Sequence, residues 1–293
     1  GDAVASVRPG VDVMMEREAV GIIGLITPWN FPVAIPAWKI APALAFGNAV
    51  VMKPAELTPA CALELAKVLD EAGCPKGVFN LVLGAGSVVG ARIAEHPDID
   101  AVSFTGSVPT GRQIGVTCAS LGKKVQMEMG GKNPMVVIDD ADLDVAIGAC
   151  VNGAFFSTGQ RCTASSRLIV TKGIYDKFVG ALTEAADNLV VGDALDSATQ
   201  IGPVVDEKQL QQNVDYVKLA ADEGCDVRGG SIQNGPGFFQ KPAVFASATN
   251  DMRVSREEIF GPCASVIKAD DYVEALHLAN DTDFGLSAGI CTT

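Results

Sequence analysis

The sequence predicts an α/β protein in which a parallel five-stranded sheet is followed by a second α/β unit. Three observations point there. Short β-branched runs alternate with longer helical stretches from Val20 to Met129, a Gly or Pro stands where each helix should stop, and 293 residues that are 48% hydrophobic and 19% charged suit two buried cores.

The runs "VGIIGLI" (20–26), "AVVMK" (49–53), "VFNLVLG" (78–84), "AVSF" (101–104) and "KVQMEM" (124–129) predict the five strands. They are mostly apolar, as strands covered on both faces are. Helices are predicted over Pro36–Phe46, ending at Gly47-Asn48, over Pro59–Ala72, ending at Gly73, over Ser87–Glu95, ending before Pro97, and over Ser107–Ser120, ending before Gly122. Ligands of open parallel sheets sit beyond the carboxyl ends of the strands. The loops "TPWNFP", "KPAE", "GAGS" and "FTGS" are therefore expected to line one crevice of a Rossmann-like, nucleotide-binding layout. "GAGSVVG" (84–90) is spaced GxGxxxG, not GxGxxG, so Gly84 is read as lining the crevice and the other two glycines as helix packing.

A second unit begins near residue 130. "NPMVVIDDADLDVAIGACVNGAFF" reads as strand, turn and helix, and its acids Asp139, Asp140, Asp142 and Asp144 read as an acidic helix start rather than a calcium loop, because no Gly turn and no closing Glu follow at the required spacing. Residues 1–18 read as an extended arm, 19–130 as the first domain and 131–293 as the second. The chain begins "GDAVAS" without an initiator Met and stops at "LSAGICTT" within an apolar run, so it is expected to be an internal fragment of a longer protein.

With 35 acidic against 22 basic residues, the net charge of −13 excludes a nucleic-acid backbone as partner. Eight cysteines without a CxxC pair predict a reducing, cytoplasmic setting, and two histidines without neighbouring ligands predict no metal. The uncharged stretch Ala19 to Trp38 has the length of a membrane span. Pro28, Pro32 and Pro36 inside it, each costing about 3 kcal/mol in a helix interior, make it a strand followed by a loop.

"FSTGQRCTASSR" sets Cys162 in a polar segment marked by glycine. A thiol attacks carbonyls as its thiolate and needs a base nearby. Neither His96 nor His277 stands in a context that marks it as that partner, so a Cys-His protease is disfavoured. The remaining route joins Cys162 to a carboxylate, an oxyanion donor and an electron acceptor, which Glu128, Asn30 and the nucleotide crevice can supply.

"TPWNFP", "KPAE", "FTGS", "EMGGKNP" (128–134), "GQRC" (159–162) and "EEIFGP" (257–262), in this order, resemble the NAD(P)-dependent aldehyde dehydrogenase superfamily. The resemblance implies that Cys162 attacks the aldehyde carbon, that Asn30 and the Cys162 N–H hold the oxyanion, and that Glu128 activates water for thioester hydrolysis. The superfamily's CoA-acylating branch lacks a glutamate at the Glu128 position. By the same resemblance Lys53 and Glu56 meet the adenosine ribose, Ser107 faces pyrophosphate, and Glu258 and Phe260 lie by the nicotinamide ribose. Ile26, Thr27, Pro28, Trp29, Gly84, Phe104, Thr105, Gly106 and Gln209 complete the implied cofactor contacts. A carboxylate at Glu56 accepts from a free 2′-hydroxyl and repels a 2′-phosphate, which favours NAD, with NADP the alternative. The implied partners are a small aldehyde and other copies of the chain, in a dimer or tetramer joined through residues 1–18. Among the family's branches, "QMEMGGKNPMVV" with "FFSTGQRCTASSR" looks most like a bacterial branch acting on 2,5-dioxopentanoate, with succinate semialdehyde, betaine aldehyde and aliphatic aldehydes open. The competing expectation is a truncated or non-catalytic relative that binds NAD or subunits without turnover.

Overall fold

The structure, a computed structural model, describes residues 2–293; residue 1 of the expected arm lies outside the described residues. The chain divides into two compact units, one ending at Met129 and the other starting at Gly130.

The first unit opens with a two-stranded antiparallel ribbon, β1 (Asp2–Val4) and β2 (Val13–Met15), exposed along its length. Then come β3 (Ile22–Ile26), α1 (Ala34–Ala45), β4 (Ala49–Lys53), α2 (Pro59–Glu71), β5 (Phe79–Leu81), α3 (Ala91–Glu95), β6 (Ala101–Thr105), α4 (Val108–Ser120) and β7 (Lys124–Glu128). The five strands β3 to β7 form one parallel sheet in the order β5-β4-β3-β6-β7. Side chains alternate across it. Ile26, Val102 and Phe104 meet Ile93 of α3 and Ile114 of α4 on one face, while Leu25, Val50 and Met52 meet Ile40 of α1 and Ala62 of α2 on the other. The chain reverses its direction of strand addition between β3 and β6, which opens a crevice at their carboxyl ends.

Three details differ from expectation. Ser87–Glu95 is not one helix: a π turn over Gly86–Gly90 precedes α3, where two glycines leave the helical backbone weakly specified. Burial alternates along β7, and Asn80 of β5 is exposed, because these strands lie at the sheet's edges and are not covered on both faces. Helix α1 starts at Ala34 and contains Pro36 in its first turn, where no intrahelical N–H bond is lost, and Pro42 further in, at the cost of one.

The second unit runs β8 (Asn133–Val137), α5 (Leu143–Phe155), β9 (Ser165–Thr171), α6 (Tyr175–Asp187), α7 (Glu207–Asp222), β10 (Asp226–Gly229), β11 (Ile232–Gln233), β12 (Phe239–Gln240), β13 (Ala243–Ala248), α8 (Arg253–Arg256), β14 (Cys263–Ala269), α9 (Tyr272–Asn280) and β15 (Gly289–Cys291). Its six-stranded sheet has the order β10-β13-β14-β9-β8-β15, parallel except for β10, and β11 pairs with β12 apart from it. Leu168 and Val170 of β9 pack with α5 and α6 on one face, and Ile169 with α7, α8 and α9 on the other. The acidic run acts as helix punctuation. Asp142 caps α5 by accepting from Asp144 N and Val145 N, and Asp139 accepts from Thr171 Oγ1 and Gly173 N at the turn after β9.

Arg167 is the largest side chain buried in this core. Its guanidinium donates to Lys132 O, Asn250 Oδ1, Leu278 O and Ala279 O at 2.8–3.0 Å, and burial holds its pKa down to about 10. A lysine has one nitrogen with which to replace that fork. Arg167→Lys should therefore leave buried oxygens unpaired and lower the unfolding free energy of the second unit by about 2–5 kcal/mol, read from the urea midpoint.

Candidate active site

In the first unit the carboxyl ends of β3, β4, β6 and β7 lie side by side, with Ile26 opposite Lys53 and Phe104 and with Thr105 opposite Glu128. The parallel register thus delivers Thr27–Asn30, Lys53–Glu56, Gly106–Ser107 and Glu128 to one edge. Thr27 N donates to Lys53 O at 3.2 Å and ties the first two loops together. Lys53 is buried, its Nζ donates to Pro54 O at 2.7 Å, and burial lowers its pKa while Glu56 opposes the shift. Glu56 is exposed, and one of its oxygens accepts from Gly86 N at 2.7 Å, so the Lys53–Glu56 loop is fastened to the π turn that follows Gly84. Gly84 itself has φ +146°, and a Cβ there would sit 2.7 Å from Val89.

Ser107 stands just before α4 without capping it; its hydroxyl donates instead to Thr110 Oγ1 at 2.9 Å. A 13-residue helix thus presents a first turn with no side-chain cap and no acidic residue, a positive dipole end suited to phosphate. The side chains of Ile26 and Phe104 lie in the core instead, so toward the crevice they offer backbone. Trp29 and Asn30, half-buried, follow β3 at this edge.

Glu128 has a neighbour the sequence did not single out. Lys39 of α1 donates to Gln126 Oε1 at 3.1 Å, and Gln126 Nε2 donates to Glu128 Oε1 at 3.0 Å, so the carboxylate is oriented from β7 and α1 together. Burial lowers the Lys39 pKa to about 8, with Glu128 opposing.

The second unit gathers its residues at the opposite kind of edge. The loops entering β8, β9, β14 and β15 share the amino ends of the parallel strands, and they carry Gly130–Lys132, Gln160–Ala164, Glu258–Pro262 and Leu286–Ala288. Glu258 Oε1 accepts from Gly131 N at 3.0 Å. A Cβ on Gly130 would lie 2.1 Å from the same carboxylate, and one on Gly131 would lie 2.8 Å from Cys162 O. Three residues before Cys162, a Cβ on Gly159 would lie 2.0 Å from Gly261 O. Glycines thus bring the loops of Cys162, Glu258 and Phe260 into backbone contact.

Cys162 is half-buried and follows a left-handed run: Ser157, Thr158 and Gly159 have φ of 55°, 58° and 64°. Each non-glycine residue there costs on the order of 1–3 kcal/mol. Thr158 Oγ1 donating to Gly202 O and Gln160 Oε1 accepting from Val205 N hold the run in place. Phe260, at φ 60°, is strained in the same way. Arg161, given no role from sequence, caps the end of α5 by donating to Phe156 O and Asn152 O. Gln209 Nε2 donates to Ile259 O at 2.9 Å, so this side chain acts on the Glu258–Phe260 loop through its backbone.

Each unit thus gathers its own share of the expected residues: Thr27–Asn30, Lys53, Glu56, Gly84, Phe104–Ser107 and Glu128 in the first, Cys162, Gln209, Glu258 and Phe260 in the second. The histidines stay outside both groups. His96 Nδ1 accepts from Asp98 N in the turn before β6, and His277 lies on α9. Sequence reading missed Lys39, Lys132 and Asn133. The last two stand inside a quoted motif, but nothing in residue type or spacing tells a buried Lys or Asn from a solvated one.

Comparison with known proteins places the whole chain in one family. The profile of the aldehyde dehydrogenase family matches residues 1–293, and the chain belongs to that family. It is 46% identical to the α-ketoglutaric semialdehyde dehydrogenase of Bacillus subtilis, over 100% of this chain and 61% of the relative. It is 47% identical to a betaine aldehyde dehydrogenase of Rhizobium leguminosarum, over 94% and 58%. The NAD+ complex of an aldehyde dehydrogenase from Bacillus cereus superposes with a TM-score of 0.93 at 42% identity, covering 95% of this chain and 57% of that one. The chain spans about 60% of the length of the curated relatives it matches.

Lys132 gives the site a pH signature. It is 1% exposed, its Nζ has no hydrogen-bond partner among the described residues, and burial lowers its pKa from 10.5 to about 7, with Cys263 the largest opposing influence. The unfolded chain keeps this proton up to about pH 10.5 while the folded chain releases it near 7, so the fold gains stability as pH rises above 7. Between pH 7 and 8.5 the unfolding free energy of Lys132→Met should rise less steeply than the parent's, the difference approaching the ~1.4 kcal/mol per pH unit carried by one proton. Urea titrations at four pH values measure it.

Proposed function

We propose that this chain is the core of an NAD-dependent, hydrolytic aldehyde dehydrogenase that acts through Cys162. The observation that carries the reading is the seat of that thiol. It follows a strained left-handed run and is packed by glycines against the loops of Glu258 and Phe260, with no histidine in the cluster. We assign residues 19–130 to cofactor binding, 131–293 to the thiol chemistry and the exposed β1–β2 ribbon to subunit joining in a dimer or tetramer. Eight free cysteines and the lack, among the described residues, of a helix long and apolar enough to cross a membrane support a cytoplasmic assignment.

The first unit fits NAD. The α4 N-terminus would hold the pyrophosphate, Lys53 and the second oxygen of Glu56 the adenosine ribose, and Glu258 with Phe260 the nicotinamide ribose. When bound, NAD supplies the acceptor for the hydride that leaves the aldehyde carbon. The protein's own residues do the rest. Cys162 Sγ bonds to the carbonyl carbon as its proton passes to solvent water, and the Asn30 amide and the Cys162 N–H stabilise the resulting oxyanion. Glu128, oriented through Gln126, then takes a proton from the water that attacks the Cys162 thioester, releasing carboxylic acid and restoring the thiol. We propose a semialdehyde such as 2,5-dioxopentanoate as substrate, on the strength of the semialdehyde dehydrogenase relative.

In the complete protein mixed with NAD and semialdehydes, Cys162→Ala should abolish NADH formation while NAD still binds. Glu128→Ala should give one burst of NADH, one equivalent per site, and then stall. Steady turnover of either variant at the parent rate would refute the residue's role. Turnover should favour NAD over NADP by at least tenfold, and Glu56→Gln should narrow that ratio; an NADP preference in the parent would overturn the reading of Glu56.

A further inference from the structure

We propose that Asn133 is the positioning residue of the nucleophile loop: its carboxamide fixes the peptide that leaves Cys162 and so sets the direction from which the thiol meets the carbonyl carbon. The proposal rests on the reading of Cys162 as nucleophile.

Asn133 opens β8 directly opposite Ser165, the first residue of β9, and is 4% exposed. Its Nδ2 donates to Cys162 O at 2.7 Å and to Ala164 O at 3.0 Å, while its Oδ1 accepts from Ser287 N at 3.0 Å. One side chain therefore grips the carbonyls on both sides of exposed Thr163 and is itself held from a third loop. The amide uses both donor hydrogens and its acceptor, which leaves it no alternative rotamer of equal energy.

Other contacts close the remaining freedom of Cys162. Ala164 N donates to Arg161 O at 3.1 Å, making Arg161–Ala164 a turn, and Arg161 is anchored to α5. Gly131 lies beneath the Cys162 carbonyl, where a Cβ would come within 2.8 Å of that oxygen. With the carbonyl pulled by Asn133 and seated on Gly131, the backbone torsion that follows the Cys162 Cα is fixed, and the thiol retains only rotation about its own Cα–Cβ bond. A displacement of about 1 Å in a reacting atom costs roughly a hundredfold in rate. The same segment donates Gly131 N to Glu258, so one strand start sets the nucleophile's backbone and the Glu258 carboxylate together.

A positioning role separates two reactions of the same thiol. Attack on an aldehyde held in the site depends on direction, whereas alkylation by iodoacetamide depends chiefly on thiolate and access. In the complete protein, Asn133→Ala and the milder Asn133→Ser are compared with the parent for the NADH burst rate, the alkylation rate of Cys162 from pH 6 to 9, and NAD affinity. The expected result is a burst slowed ~100-fold in Asn133→Ala, less in Asn133→Ser, with alkylation rate, its pH profile and NAD affinity within threefold of the parent. A burst within threefold of the parent, or burst and alkylation falling by the same factor, overturns the proposal. If Asn133→Ala does not fold, Asn133→Ser decides by the same two rates. The underlying reading fails separately, in the parent: a burst that survives Cys162→Ala removes the nucleophile itself, whatever Asn133 does.

Discussion

The second unit depends on close backbone approach that only glycine permits. Gly130 and Gly131 let the Glu258 carboxylate and the Cys162 carbonyl reach one strand start, and Gly159 lets the segment leading to Cys162 lie against Gly261. Any Cβ at these positions would stand 2.0–2.8 Å from its neighbour, well inside contact distance. Loops entering four parallel strands thereby act as one rigid body without a large apolar contact among them. The strain stored at Ser157, Thr158 and Phe260 is tolerable because this framework, together with the anchors to Gly202 and Val205, over-determines it.

The two sheets present their chemistry at different edges for a common reason. In the first, the loops after the strands border the crevice where strand addition reverses, the place proposed for the cofactor, and the uncapped α4 starts at that edge with its positive end. In the second, the residues stand before the strands, where an incoming chain can be held by its neighbour's side chain, as Asn133 holds Cys162 O. Rigid positioning is what the nucleophilic role proposed for Cys162 requires, and a strand start offers more of it than a loop tip.

Much of the first unit was legible because parallel strands and glycine-stopped helices leave a local signature. "AVVMK" became β4 as read, and the expected helix after Pro59 ended one residue earlier than predicted. The π turn was not legible, since Gly86 and Gly90 weaken a helix without stating what replaces it. Cys162, Glu128 and Asn30 stood out through motif resemblance. Asn133 did not, because its role arises from groups as far away in sequence as Ser287, and no period or spacing encodes such a meeting.

Arg167 has a consequence for how the chain acquires this structure. Its partners come from Lys132, Asn250, Leu278 and Ala279, so the strand at the middle of the sheet carries a charge whose last acceptors are synthesised more than a hundred residues later. A guanidinium shut into a core without acceptors is unfavourable by several kcal/mol. Full pairing of the Arg167 guanidinium in β9 therefore requires the end of α9, the last of its partners to be synthesised. The buried charge of the second unit thus finds its last acceptors late in synthesis, whereas β3 to β7 of the first unit are all made by Glu128.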